Sequence, residues 1–198
     1  MPAVTESGEA QRALKVAART VGAAVRQKLP LTQGKLQAVV TAVTAADSSR
    51  HKQLRDAAVL MLLWAGMFRC SELVGIQWAH VRMYDGVGVA VYVPYSKTDA
   101  AGENAQVLVA QRVAGVDLVQ QLRGLQQLTG SSGYVFKPQA TSQQHLDKGT
   151  VATCLKAALA AIGEQHPEMY AAHSFRLGGA THAATAGVEL RYIMTTER

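Results

Sequence analysis

The sequence predicts an α+β fold that is mostly helical and contains one small three-stranded antiparallel sheet. Apolar residues recur at helical spacing through most of the chain. Three short strand-like segments lie close together in its middle, and the hairpin signal Asp85-Gly86 separates the first two. With 48% apolar and 17% charged residues over 198 positions, the chain can bury a sizeable core. This length indicates one domain, with room for a fragment of another.

Local signals define the predicted elements. Pro30 ends a first helix, and Thr32 is a candidate N-cap for the second. A third helix stops near Gly66. Helices are expected over residues 10–28, 34–45, 51–66, 70–76, 115–128, 149–162, 173–186 and 188–197. Strands are expected over residues 79–84, 87–95 and 105–110, and a loop rich in Ser, Gly and Gln over 129–147.

The first predicted helix is basic. The net charge is +6, and residues 1–55 hold nine Lys and Arg against three Asp and Glu, which leaves eleven of each for the rest. Localised positive charge is typical of proteins that bind a polyanion, and we expect DNA phosphates to be contacted here. A solvated basic tail, or a helix that docks on a membrane or a partner protein, gives the same pattern. The cations lie within roughly 60° of arc at 100° per residue; they are Arg12, Lys15, Arg19 and Arg26.

Several protein classes are excluded by composition. The two cysteines, Cys70 and Cys154, have no paired spacing, which argues against a disulfide framework or a zinc site. The sequence contains no apolar run of about 18 residues, so no membrane span is expected. The N-terminus lacks the apolar core of a signal peptide. We therefore expect a protein of the cytosol, nucleoid or nucleus that associates with DNA.

Two blocks of sequence form the candidate site. His173 and Arg176 lie three residues apart, on one face of a helix, and the small residues Gly178-Gly-Ala-Thr181 follow. A Gly within a helix costs roughly 1 kcal/mol relative to Ala, so we expect close packing or close approach of DNA there. The second block, Ala65-Gly-Met-Phe-Arg-Cys-Ser-Glu-Leu73, has its arginine, Arg69, 107 residues upstream (176 minus 69). Because arginine donates paired hydrogen bonds to phosphate oxygens, the two blocks together predict a phosphate site.

Both blocks resemble the conserved boxes of the tyrosine recombinase, or phage integrase, family. That family commonly has Gly-X-Arg-X-X-Glu-Leu in its first box, and Arg69-Cys-Ser-Glu72-Leu73 fits, with Gly66 one residue farther from the arginine. Its second box, His-X-X-Arg followed by small residues, is matched from His173 onward. Between the boxes the family has a lysine on a β-hairpin, and Lys97 stands at the matching place. The resemblance covers about residues 29–198 and implies the family's catalytic-domain fold.

The resemblance also implies an activity: site-specific DNA recombination or integration through a 3′-phosphotyrosine intermediate, with neither a metal nor a nucleotide cofactor. Arg69 and Arg176 are expected to stabilise charge on the non-bridging phosphate oxygens, with assistance from His173. Lys97 is expected to act as general acid and protonate the departing 5′ oxygen. Glu72 is expected to orient Arg69, although an ion pair that only holds a turn together is the alternative. The implied partner is double-stranded DNA, with four subunits assembled on two DNA sites.

The tyrosines of the chain do not match the family's nucleophile. Tyr192 lies only 16 residues after Arg176 (192 minus 176), whereas the family places a third box first and the tyrosine farther downstream. Tyr134 and Tyr170 match no family position. We therefore expect the nucleophile to lie beyond Arg198, so that this chain alone does not complete the covalent step.

The resemblance implies a division of the chain and leaves other functions open. Residues 1–28 are expected to be a remnant of the family's N-terminal DNA-binding domain, and residues 29–198 an incomplete catalytic domain. A DNA-binding or regulatory module without a nucleophile, or an enzyme like the type IB topoisomerases, would share the phosphate site. An unrelated helical domain that docks on an acidic protein or a membrane would give no special role to His173 or Arg176.

Overall fold

The structure, a computed structural model, describes residues 28–94 and 105–189. The α-helices within this part of the chain are α1 (Gln33–Ala45), α2 (Arg50–Ala65), α3 (Cys70–Val74), α4 (Leu118–Thr129), α5 (Lys148–Ala161) and α6 (Ala172–Thr185). The strands are β1 (Val81–Tyr84), β2 (Gly88–Val93), β3 (Ala105–Ala110), β4 (Arg112–Val113) and β5 (Val116–Asp117). Short 3₁₀ turns cover Trp78–His80 and Pro167–Met169. This mixture confirms the predicted mostly helical α+β class with a small antiparallel sheet.

Helix α2 lies at the centre of the core. Every residue from Leu54 to Trp64 is buried, on all sides of the helix. Helices α1, α4, α5 and α6 contact it, as does the short α3 that follows it. A helix that is buried on all sides needs neighbours on all sides, and the other helices surround it. The chain leaves the C-terminal end of α2 toward Arg69, so the core directly supports one half of the candidate site.

Strands β1, β2 and β3 form the predicted sheet, in that order and antiparallel. The register pairs Tyr84 with Gly88 across the first hairpin and Val91 with Val107 between the second and third strands. Gly86 has a φ of 76°, the left-handed conformation that a tight turn requires. The hairpin predicted from Asp85-Gly86 is therefore confirmed.

The helix predicted over 115–128 begins later than expected. Residues 112–117 form a second small hairpin, β4–β5, and the helix starts at Leu118. Ala114 has a φ of 52°, which turns the chain back before the helix begins. Asp117 then caps the helix, since its carboxylate accepts a hydrogen bond at 2.9 Å from a backbone N–H of the first turn. The apolar spacing of the helix continues back into this hairpin, and for that reason the sequence predicted a longer helix.

Other predicted boundaries shift by a few residues. Thr32 caps α1 as predicted, because its hydroxyl accepts a hydrogen bond from the first turn at 3.4 Å. The first predicted strand begins only at Val81, since Trp78–His80 forms a 3₁₀ turn. Helix α3 ends at Val74, two residues early, where Gly75 caps it. The order of these elements along the chain is as predicted.

Two predicted helices fall wholly or largely outside the described residues. The basic helix over 10–28 is one of them. Of the helix predicted over 188–197, only Val188 and Glu189 are described, and neither is helical. The division into an N-terminal remnant and a catalytic domain therefore stays a prediction. Within 28–94 and 105–189, no helix has both the length and the apolar character needed to cross a membrane.

Candidate functional site

A cavity of about 140 Å³ joins the two sequence blocks that the motif analysis singled out. Three of its lining residues follow the C-terminal end of α2, and three lie at the start of α6. They are Phe68, Arg69, Cys70, Ala172, His173 and Arg176. The fold therefore brings Arg69, His173 and Arg176 onto one concave surface, although the two blocks are far apart in sequence.

Glu72 holds Arg69 in two ways. The Arg69 guanidinium donates a hydrogen bond to Oε1 of Glu72 at 2.7 Å, and the Arg69 backbone N–H donates to Oε2 at 3.1 Å. The second contact is the helix-start pattern in which a glutamate in the first turn reaches back to the N-cap residue. The guanidinium has five N–H donors, and the bond to Glu72 uses one of them. Arg69, whose side chain is 33% exposed, therefore keeps donor capacity for a ligand.

The loop that delivers Arg69 is tightly packed. Gly66 ends α2, and a Cβ at this position would overlap the ring of Phe68. Met67 has a φ of 50°, which non-glycine residues adopt rarely, and its side chain is buried. Phe68 is buried as well. Arg69 therefore extends from a backbone whose path the core determines.

Helix α6 presents its two site residues differently. His173 is exposed, whereas Arg176 is only 9% exposed. A charged side chain is buried this far only where polar groups compensate the loss of water. Arg176 therefore belongs to the inner wall of the cavity, and His173 lies at its rim.

The glycines that follow in α6 confirm the predicted close packing. A Cβ on Gly178 would overlap the carbonyl oxygen of Leu31, and one on Gly179 would overlap the carbonyl oxygen of Trp64. Both neighbours are backbone atoms, which cannot move aside as a flexible side chain can. Helix α6 therefore docks through its own backbone on the segment before α1 and on the end of α2.

Three polar residues near the cavity were not predicted. Cys70 lines it, and Asp147 and Lys148 at the start of α5 lie close enough to act electrostatically on the thiol. Burial, the largest effect, raises the pKa of Cys70, so the thiol stays protonated at neutral pH. The position of Cys70 beside Arg69 was a signal available in the sequence. The approach of α5 was not, because only the tertiary fold creates it.

Other predicted site residues lie outside the described ranges, so their relation to the cavity stays a prediction. They are Arg12, Lys15, Arg19, Arg26 and Lys97. In the described part of the chain, no group of three or more His, Cys, Asp or Glu side chains is arranged to hold a metal ion.

The chemistry of the cavity suits an anion. Two guanidinium groups and an imidazole share its wall, and the carboxylate of Glu72 is engaged by Arg69. Arginine donors match the oxygens of a phosphate, and partial burial strengthens such charged hydrogen bonds. None of the lining residues named above is a serine, threonine or tyrosine. The cavity can thus hold and polarise a phosphate, and among the described residues its wall includes no hydroxyl nucleophile.

Known proteins share this fold. An integrase/recombinase XerD homolog from Selenomonas ruminantium is 27% identical in an alignment of 202 positions, which covers 98% of this chain and 57% of that protein. The fold is also similar to that of the XerH site-specific recombinase, solved bound to palindromic difH substrate in a post-cleavage complex. The TM-score is 0.67 and the identity 13%, over 86% of this chain and 46% of that one. A lambda integrase tetramer bound to a Holliday junction is similar with a TM-score of 0.57 and 17% identity, over 87% and 47%.

The chain spans about half the length of these proteins. The two solved structures share little sequence with it, so they show the fold alone. The model of the phage integrase family, in contrast, matches residues 31–196, which is most of the chain. Because the match includes both arginine blocks and every described helix, the chain belongs to the phage integrase family of tyrosine recombinases.

Proposed function

We propose that the cavity binds a DNA phosphate and that the chain is part of an enzyme for site-specific DNA recombination or integration. The carrying observation is that Arg69, His173 and Arg176 line one cavity. In the proposed reaction a tyrosine hydroxyl attacks the scissile phosphorus and forms a phosphotyrosine ester. The bond to the 5′ oxygen breaks, and that oxygen leaves with a proton. Attack by a 5′ hydroxyl reverses the step and rejoins the strand.

The charges of the cavity support specific roles. Arg69 and Arg176 donate hydrogen bonds to the non-bridging oxygens, where negative charge increases in the transition state. His173, at the rim, assists in holding the phosphate and in proton transfer. Glu72 keeps the Arg69 guanidinium oriented through the 2.7 Å ion pair. Lys97 is assigned the role of general acid by its place between the two family boxes.

The tyrosine nucleophile is assigned to a residue outside the cavity wall. Four tyrosines lie in the described ranges, and none lines the cavity; they are Tyr84, Tyr92, Tyr134 and Tyr170. Positioned charges can hold a phosphate, but the phosphotyrosine bond needs the tyrosine itself. A segment that is not described, or another subunit, has to supply it.

Double-stranded DNA is the proposed partner. The similar XerH recombinase is bound to difH substrate, and the similar lambda integrase is a tetramer on a Holliday junction. The conserved family fold and the basic N-terminal quarter of this chain support the same partner here. We extend the proposal to a four-subunit assembly on two DNA sites and to a DNA-associated location.

A DNA-binding or regulatory module without catalytic activity is the second candidate. This candidate predicts a cavity without a tyrosine, and none of the tyrosines in the described ranges lines it. Both candidates predict phosphate binding, but only the first predicts a covalent protein–DNA link.

Phosphate binding is tested by the salt dependence of affinity for a short DNA duplex. Each phosphate contact contributes about −0.9 to the slope of log affinity against log salt. Arg69→Gln and Arg176→Gln should each flatten the slope, by no more than about this amount, because the two arginines share one phosphate. Arg123→Gln is the matched control, because Arg123 is 48% exposed and pairs with Asp85. Unchanged slopes for both site variants would refute phosphate binding at the cavity.

Catalysis is tested by denaturing the protein after incubation with a pool of nicked duplexes of random sequence. A recombinase should give a DNA-linked band that disappears with Arg176→Gln. If phosphate binding holds but no duplex of the pool becomes linked to the protein, the regulatory module is the correct function.

A further inference from the structure

The segment before α1 crosses the back of helix α6. The N–H of Leu31 donates to the carbonyl oxygen of Ser174 at 2.9 Å, in the first turn of that helix. One turn later, the carbonyl oxygen of Leu31 lies where a Cβ of Gly178 would be. At about 100° per residue, Arg176 is about 200° from both contacts, so it points away from the segment. Leu31 therefore supports the turn of α6 that presents Arg176 to the cavity.

Trp64 joins this segment to α2. Its indole Nε1 donates to the carbonyl oxygen of Leu31 at 2.8 Å. The backbone carbonyl of Trp64 is packed against Gly179, and its ring centroid lies 4.9 Å from that of His182. Trp64 thus contacts α6 directly through its backbone and its ring. It also contacts α6 indirectly, through its hydrogen bond to Leu31.

The junction connects the two halves of the cavity. Arg69 follows the end of α2 by a short packed loop, and Arg176 lies in the second turn of α6. Packed interiors have low compressibility, so a displacement of α6 against α2 is transmitted to the separation of the two arginines. A misplacement of about 1 Å strongly weakens a site that depends on geometry.

We propose that Trp64 is a positioning residue for the phosphate cavity. By holding the Leu31 carbonyl against Gly178, its indole sets the position of α6 and hence the distance between Arg176 and Arg69. Trp64 is not among the described residues that line the cavity, and it acts through Leu31. This inference rests on the proposed binding of phosphate in the cavity.

The first test is a titration with inorganic phosphate. NMR signals of the side-chain Nε–H groups of Arg69 and Arg176 report the binding. Trp64→Phe removes the indole donor and keeps an aromatic ring. It should weaken phosphate binding about fivefold or more, the range of coupling between linked sites. Gly178→Ala should act in the same direction by displacing the Leu31 carbonyl.

Gly34→Ala is the matched control for the glycine variant. Gly34 lies in helix α1, and a Cβ there meets no atom within 4 Å. The same substitution should leave the affinity for phosphate unchanged. Wild-type affinity in Trp64→Phe and Gly178→Ala, with Arg69→Gln weakened, would overturn the positioning role.

A second measurement needs no variant and therefore does not depend on whether a variant folds. Coupling is reciprocal, so phosphate binding should stabilise the Trp64 hydrogen bond as much as that bond favours phosphate. Phosphate should slow hydrogen exchange of the Trp64 indole N–H more than that of backbone N–H groups in β2. Equal slowing at both places indicates only global stabilisation and would overturn the inference.

The two failures are distinguishable. If wild-type protein shows no phosphate-dependent shift of the Arg69 and Arg176 signals, the proposed cavity function is wrong and the positioning role is lost with it. If the shifts occur but are insensitive to Trp64→Phe and to Gly178→Ala, only the positioning role is wrong.

Discussion

Arg69 and Glu72 are joined by two hydrogen bonds, one from the guanidinium at 2.7 Å and one from the backbone N–H at 3.1 Å. The same glutamate thus starts helix α3 and orients an arginine of the cavity. The sequence also allowed an ion pair that only holds a turn together. In the structure Glu72 accepts one hydrogen bond from the Arg69 backbone, which holds the turn, and one from the guanidinium. Substitution of Glu72 tests this orienting role, because the loss of charge and the loss of orientation change DNA affinity in opposite directions.

Glu72→Gln should weaken binding of duplex DNA. The variant removes a negative charge beside the proposed phosphate site, so charge alone predicts tighter binding. Loss of the ion pair releases the Arg69 guanidinium, and we expect this second effect to dominate. Because Arg69 is one third exposed, the cost in unfolding free energy should stay below about 1 kcal/mol. Fluorescence anisotropy and urea denaturation measure the two quantities.

Asp85→Asn is the control for this comparison. It also removes one carboxylate, from the exposed pair with Arg123 at 2.6 Å. It should bind DNA as tightly as the wild type or slightly more tightly. If Glu72→Gln behaves in the same way as Asp85→Asn, Glu72 has no orienting role in DNA binding.

Asp56→Asn should strongly destabilise the fold. Arg55 and Asp56 are each 3% exposed and form an ion pair at 2.6 Å inside the core. Arg55 also donates to the carbonyl oxygens of Lys137 and Pro138, at 3.2 and 2.8 Å. Removing one partner leaves a buried charge, which typically costs about 3–5 kcal/mol. Urea denaturation should show this loss, and a loss below about 1 kcal/mol would mean that water reaches the pair.

The contact between α1 and the chain before α6 should make stability depend on pH. The ammonium of Lys35 lies 2.5 Å from Oε2 of Glu164 and 2.5 Å from the hydroxyl of Tyr170. The hydrogen bond from Lys35, with one from the His166 backbone, lowers the pKa of Glu164 below its ordinary value of 4.5. Burial alone would lower the pKa of Lys35, but the bonds to Glu164 and Tyr170 outweigh it and raise the pKa above 10.5.

The sign of the pH effect follows from these two directions. The contribution of Glu164 is fully present above pH 4.5 and is lost as pH falls through its lower folded pKa. That of Lys35 is fully present below pH 10.5 and is lost as pH rises through its raised folded pKa. Glu164→Gln should therefore reduce the dependence of unfolding free energy on pH below 4.5. If the unfolding free energy of Glu164→Gln falls with pH below 4.5 as steeply as that of the wild type, other carboxylates control the acid dependence.

Much of the fold was predictable because its signals are local. Two of these signals act within a few residues: the hydroxyl of Thr32 at the start of α1 and the turn at Gly86. A third is the long apolar run that predicts α2. The second hairpin was missed because its turn needs a positive φ at both Ala114 and Gly115, and only the glycine gives a sequence signal for it.

The site was predictable only as a set of residue types. The motifs named Arg69, His173 and Arg176, and the fold brings them to one cavity. The glycines of α6 indicated close packing but not its partners. The contact of Trp64 with Leu31 joins residues that no periodic pattern relates, so it could be found only in the structure.

The central claim is that Arg69 and Arg176 bind the same phosphate, and a double-mutant cycle tests it most directly. The affinity for duplex DNA would be measured at one salt concentration for the wild type, Arg69→Gln, Arg176→Gln and the double variant. Two arginines on one phosphate should show a coupling energy of about 1 kcal/mol or more. Losses that add to within about 0.5 kcal/mol would mean that the two residues act independently, and would contradict a shared phosphate site.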